Sequence, residues 1–172
     1  MNRIAFALFF LVLSTALGAQ QKSPDSEAKE QVGEILDRLN QYAHTTDFDS
    51  YFALFADQST FVGTDATEVW NKQEFMEYAR PHFKKGKAWS FTSLKRNIVV
   101  SHDTRYAWFN ELLSTQMLLC RGSGILEKIN GTWQIRQYVL SMTIPNEVVS
   151  QVVEGKKALE EPLIENLNQK TH

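Results

Sequence analysis

The stretch "CRGSGILEKINGTWQIRQYVLSMTI", residues 120–144, decides the fold. Two runs rich in β-branched, aromatic and aliphatic residues flank Asn130-Gly131. A two-residue Asn-Gly loop suits a tight hairpin, because both residues tolerate the positive φ that such a turn needs. The reading is therefore strand, turn, strand, stopped by Pro145. Strand alternation then sets Trp133 and Ile135 on the opposite face from Gln134 and Arg136.

Working upstream, "AWSFTSLKRNIVVS" (88–101) and "RYAWFNELLST" (105–115) read as two further strands around an "HDT" turn. Together the four strands form an antiparallel meander. Before them the period changes. "SEAKEQVGEILDRLNQYAHTTD" (26–47) carries Val32, Ile35, Leu36, Leu39 and Ala43 at helical spacing. Thr46 with Asp49 reads as a capping pair for a short helix bearing Tyr51, Phe52 and Phe55. "STFVG" (59–63) is a brief strand. Asn71 with Glu74 opens a third helix carrying Phe75, Tyr78 and Phe83, kinked by Pro81 and ended by Gly86. Downstream, an amphipathic segment begins at Asn146 with Val148, Val149, Val152 and Val153. Helices first and long antiparallel strands second make an α+β plan. A long sheet twists, and wrapped over three helices it encloses a cone with an open end.

The chain has 172 residues with 43% hydrophobic and 22% charged, so it fits one globular domain. Net charge is −2 and the densest basic run is "FKKGK" (83–87), which excludes a phosphate-tracking surface and with it nucleic acid as partner. The start, "MNRIAFALFFLVLSTALGAQQK", has a basic residue, a short apolar run and small residues in the order of a secretory signal peptide. Residues 1–19 are assigned to that leader, 26–155 to the domain and 156–172 to a charged tail. Gln20 stands where a lipid-anchored precursor would need Cys. The expectation is an exported protein, periplasmic or secreted and soluble, of bacterial type, with no stable membrane association once the leader is cut. Cys120 is the only cysteine, so no intramolecular disulfide forms, and a buried core thiol is expected.

The segments "YFALFADQSTFVGTDATEVWNKQEF", "AWFNELL" and "CRGSGILEKINGTWQIRQYVLSMTIPNE" resemble the NTF2-like superfamily, and within it the SnoaL-like domains of exported bacterial proteins. The resemblance spans roughly residues 30 to 150. It implies a curved sheet wrapped over about three N-terminal helices, a C-terminal helix and a conical pocket. It does not imply one activity, because the superfamily holds isomerases, cyclases, dehydratases and assembly domains. In such domains the segment after the first strand borders the cone's mouth. Thr64, Asp65 and Glu68 then become rim or pocket residues and Trp70 a wall. Asp65 equally suits a plain turn, and for Thr67 and Glu68 the turn role comes first.

The meander supplies the remaining candidates. Alternation puts Glu111 with Ala107 and Phe109, and Trp108 with Asn110 on the other face; a bulge would exchange the two sets. Burying a carboxylate is costly unless it is paired, and Arg121 on the next strand is the expected partner, with Ser123 on the same face as Arg121. Gly122 and Gly124 leave room for a ligand or a helix. Gln137 and Tyr138 are polar-tipped residues in an apolar run. A structural Glu111–Arg121 pair is the alternative to a functional pocket.

None of His44, His82, His102 and His172 sits at metal-ligand spacing, "RGSGI" is not a nucleophile elbow, and no phosphate loop or dinucleotide fingerprint occurs. No cofactor or metal is expected. The primary reading is a cone that binds a small, largely apolar molecule, a carboxylate or carbonyl compound held by Arg121. The alternative is a cofactor-independent enzyme of ketosteroid-isomerase type, with Asp65 or Glu111 as base and Tyr138 or Arg121 as donor. The Tyr-and-acid oxyanion pair of that family has no residue-by-residue match here. Homodimerisation through the outer sheet face is compatible with either.

Overall fold

The computed structural model describes residues 22–86 and 88–170. The expected leader, 1–19, lies outside the described residues. Among these, no helix is long and apolar enough to cross a membrane. Helix α1, Pro24–His44, starts at Ser23, whose hydroxyl accepts from the Ser26 N–H at 3.2 Å. Its buried stripe includes Val32, Ile35, Leu36, Leu39 and Ala43, as the spacing predicts. Helix α2, Phe48–Ala53, is capped by Asp47 through the Ser50 N–H and not by the expected Thr46–Asp49 pair. Thr46 sits at φ 56°, a left-handed conformation that a capping residue does not adopt.

Phe55 belongs to strand β1, Phe55–Val62, and not to the preceding helix. A three-residue strand absent from the sequence reading, β2 (Val69–Asn71), pairs antiparallel with β1. Helix α3, Lys72–Lys84, opens on the reciprocal Asn71–Glu74 box with bonds of 3.0 and 2.9 Å. It continues through Pro81 and stops before Gly86, which takes φ 67°. The meander is β3 (Thr92–Val100), β4 (Tyr106–Thr115), β5 (Leu118–Ile129) and β6 (Thr132–Met142). Asn130 and Gly131 both have positive φ, 50° and 83°, as a hairpin turn of this type requires. Residues 88–91 precede β3 as irregular chain.

The six strands run β2-β1-β6-β5-β4-β3, and β1 lies parallel to β6. Trp133 and Ile135 face inward and are buried. Register then jumps: Leu126 opposes Ile135, but Ile125 opposes Gln137. The extra residue, Arg136, makes a bulge that transfers the inward side to Tyr138 and Leu140. Helix α1 packs on β3 and β6, and α3 on β1 and β2, so the core lies between helices and the sheet's inner face. This is the α+β plan expected from the sequence, an antiparallel meander over N-terminal helices. A 3-10 turn leads into helix α4, Val149–Lys170, in which no residue is buried. The expected domain boundary at 155 falls inside this helix.

Candidate functional site

The inner face of β4 carries Ala107, Phe109, Glu111 and Leu113, all buried. Glu111 is 1% exposed, and its partner is not Arg121. Arg96 on β3 donates from Nε to Glu111 Oε2 at 2.8 Å. The same guanidinium donates to Asp37 Oδ1 at 2.8 Å and to the Gly33 carbonyl at 3.1 Å, fastening β3 to α1. Tyr138 donates its hydroxyl to Glu111 Oε1 at 3.3 Å. Burial first, and the Glu111 charge second, push the Tyr138 hydroxyl well above its usual range. Gly122 has a specific reason: a Cβ there would lie 2.5 Å from the Tyr138 hydroxyl and 3.1 Å from Glu111 Cγ. The gap at Gly122 thus houses the Tyr138–Glu111 contact and not a ligand. At Gly124 a Cβ would meet the Gln137 carbonyl at 2.0 Å.

The register explains the displacement of Arg121. Glu111 opposes Gly122, so Arg121 opposes Leu112 and points to the other face. Arg121 and Asn110 are exposed there, Trp108 is 48% exposed, and Ser123 opposes Asn110. Gln137, opposite Ile125 and Thr60, shares that outer face. Trp108, Asn110, Arg121, Ser123 and Gln137 therefore come together, but outside the cone. With them goes the expected Arg121 grip on a carboxylate or carbonyl ligand.

The cone does have an open cleft, of about 160 Å³, at its mouth. Thr64 and Trp70 line it as expected. Phe61 and Leu140 form its inner side, Phe75 and Tyr78 come from α3, Trp89 and Phe91 from the chain before β3, and Gln116 and Met117 from the β4–β5 turn. The rings form an ordered wall. Trp70 stacks on Tyr78 with centroids 4.5 Å apart, and Phe61 on Phe75 at 3.9 Å. Phe61 also stacks on Tyr138 at 5.6 Å, which puts the Tyr138–Glu111 pair one layer behind the cleft.

Asp65 is not a lining residue. It closes its own turn, accepting from the Thr67 hydroxyl at 2.6 Å and the Thr67 N–H at 2.9 Å. These bonds, the hydroxyl first, hold its carboxyl below the usual range. A general base works best with a pKa near the working pH, so Asp65 is a turn residue. The rim acid is Glu68, whose Oε2 accepts from the Asp65 N–H at 3.2 Å. Sequence reasoning placed Glu68 at the rim but put its turn role first, and it missed Tyr78, Trp89, Phe91, Gln116 and Met117. The available signal was the density of aromatics on both sides of the "TDATE" turn. Arg96 was also missed, although it is an internal charge in "SLKRNIVV". Cys120 is buried, beside the Thr115 hydroxyl at 3.5 Å, as expected of a core thiol.

The sequence pattern of the SnoaL-like domain family matches residues 32–145, which span α1 to the end of the meander. No curated protein matches the sequence. Among solved structures, an NTF2-like protein of unknown function from Pseudomonas putida superposes with a TM-score of 0.61 at 13% identity, covering 71% of this chain and 91% of that one. An NTF2-like protein from Streptomyces avermitilis, provisionally named a dehydratase, gives 0.59 at 12% identity, over 70% and 99%. The association domain of C. elegans CaMKII gives 0.56 at 16% identity, over 69% and 98%. At these identities the likeness concerns the fold.

Proposed function

We propose, from the premise that this chain belongs to the SnoaL-like domain family, that it binds a small, largely apolar molecule in the aromatic cleft at the mouth of its cone. The observation that carries this reading is the cleft itself: an open cavity with ordered ring walls and few polar groups. Pockets for drug-sized ligands run to roughly 300–1,000 Å³, so a cleft of about 160 Å³ suits a ligand of few atoms. The acid/base alternative has less support. Glu111 is fastened by Arg96 and separated from the cleft by Phe61, so a substrate bound there would not reach it. The leader-like start supports export of the cleft-bearing domain, and the purified secreted form should begin near Gln20.

The test is a panel of small aromatic and branched aliphatic compounds, read by thermal melting and tryptophan fluorescence. Trp70 and Trp89 line the cleft, so an occupant should change emission. Gln116→Trp, at the exposed β4–β5 turn, should block the effect while keeping the fold. A panel with no shift in either readout refutes the binding reading.

A second reading rests on a separate surface. Trp108 is 48% exposed and Ile125 40% on the outer face of the sheet, and they oppose each other in register. This exposed apolar pair is the basis of a contact reading, and a second copy of this chain is the proposed occupant. Light scattering that gives a monomer at tens of micromolar would refute it.

A further inference from the structure

We infer that the molecule the cleft takes is an organic cation, an alkylated ammonium head on a small apolar body. This rests on the binding reading above and names its ligand class. Six aromatic side chains line the cleft, and three of them are Trp70, Tyr78 and Trp89. Their ring faces carry negative potential and attract a cation, indole most strongly. Among the described residues that line the cleft, the only charged one is Glu68. Its charge has the sign that a cation needs and that a carboxylate ligand would be repelled by.

Glu68 is also held in place. A Cβ at position 63 would lie 2.1 Å from Glu68 Oε2, so Gly63 provides the space in which that carboxylate folds over the chain. The Asp65 N–H fixes Oε2 at 3.2 Å, and among the described residues Oε1 has no hydrogen-bond partner. No Lys or Arg among them forms an ion pair with Glu68, whereas Glu111 and Glu127 each have arginine partners. A rim carboxylate that is positioned, has no ion-pair partner among the described residues and lines a cleft with electron-rich rings is a counter-ion site for a ligand. Alkylation of the ammonium matches the setting, since methyl groups spread the charge over an apolar surface that rings can cover.

The experiment compares three molecules of one shape on the purified full domain: choline, its neutral isostere 3,3-dimethyl-1-butanol, and the anion 3,3-dimethylbutanoate. Calorimetry and tryptophan quenching read affinity. Choline should bind at least tenfold more tightly than the neutral alcohol, a difference of about 1.4 kcal/mol, and the anion should not bind. Glu68→Gln should weaken choline about tenfold and leave the alcohol unchanged, with an unaltered melting temperature. Equal or tighter binding of the alcohol overturns the cation inference and leaves the apolar-cleft reading standing. Silence of all three, while compounds of the neutral panel bind, does the same. Silence of every compound overturns both. Unchanged choline affinity in Glu68→Gln removes Glu68 as the counter-ion and overturns the inference.

Discussion

Glu111 lies on the sheet's inner face and Glu68 at the rim of the same cone, and they differ in burial and in ion pairing, which decide a carboxylate's role. Glu111 is dehydrated and fastened by Arg96 and Tyr138. Glu68 is half-buried, has one backbone donor and borders open space. A charge sealed in with its partners serves the fold, because removing either one leaves the other buried and uncompensated. A charge held at an open edge with one backbone donor, and no ion-pair partner among the described residues, has capacity left for something else. The lesson is that burial alone does not identify a site; unspent bonding capacity next to a cavity does.

The largest effect expected from breaking this contrast is at Arg96. Arg96→Met keeps the stem and removes the donors, leaving Glu111 buried and alone. Removing one partner of a buried pair costs about 3–5 kcal/mol. Chemical denaturation should show that loss, and Arg96→Met/Glu111→Gln should recover a large part of it. If Arg96→Met alone is neutral, Glu111 is not a sealed charge and the contrast with Glu68 disappears.

Next in size is Gly122→Ala. The added methyl would lie 2.5 Å from the hydroxyl of Tyr138, which is 1% exposed and has Phe61 and Phe109 against its ring. Overpacking of a closed core costs about 1–3 kcal/mol. Gly131→Ala, by contrast, meets no atom within 4 Å, and only its φ of 83° opposes it. A melting temperature for Gly122→Ala equal to wild type would show that the centre is loose enough to admit a ligand.

Smaller again is Tyr138→Phe, which deletes the bond to Glu111. A hydrogen bond to a charged group contributes roughly 1.5–3 kcal/mol, and at 3.3 Å this one belongs at the low end, about 1.5 kcal/mol. It also has a pH signature. The folded state raises the Tyr138 pKa, burial first and Glu111 second. Unfolded tyrosine ionises near pH ~10. Its protonated form therefore contributes stability fully below about pH 10, and that contribution is lost as pH rises toward the folded value. Wild-type stability should fall above about pH 10, and Tyr138→Phe should fall less steeply. Tyr51, also raised by burial, keeps part of the slope in both proteins.

The sequence made local features legible and long-range pairing partly so. The Asn130-Gly131 turn, the Asn71–Glu74 box and the α1 stripe are set by neighbours within a few residues, and each forms as read. The need of Glu111 for a cation was legible as well. Its identity was not, because β4 has a neighbour on each side and either could supply the arginine. Face depends on register, and a shift of one residue exchanges all side chains between faces. Arg121 lies one position off the residue that opposes Glu111, whereas Arg96 opposes it directly. The rim was the least legible part. Strand β2 has three residues, too few for a period, and the cleft gathers its wall from five separated segments. Export was read from residues outside those described, and it remains a proposal.

The smallest expected change in stability sharpens the contrast most. Glu68→Gln keeps the shape of the side chain and its acceptor oxygen, so the Asp65 N–H retains a partner. Among the described residues no cation loses a salt bridge, and no buried charge is left unpaired. Surface substitutions without such consequences usually stay within about ±0.5 kcal/mol, and that is the outcome expected in chemical denaturation. The same chemical change at Glu111 removes the anion that Arg96 faces inside the core, so there the denaturation midpoint should fall by an amount well outside that range. Running Glu68→Gln and Glu111→Gln side by side thus applies one alteration to two depths of one cone. If both lose stability to a similar degree, Glu68 is a scaffold carboxylate like Glu111, and the rim ceases to be a candidate site.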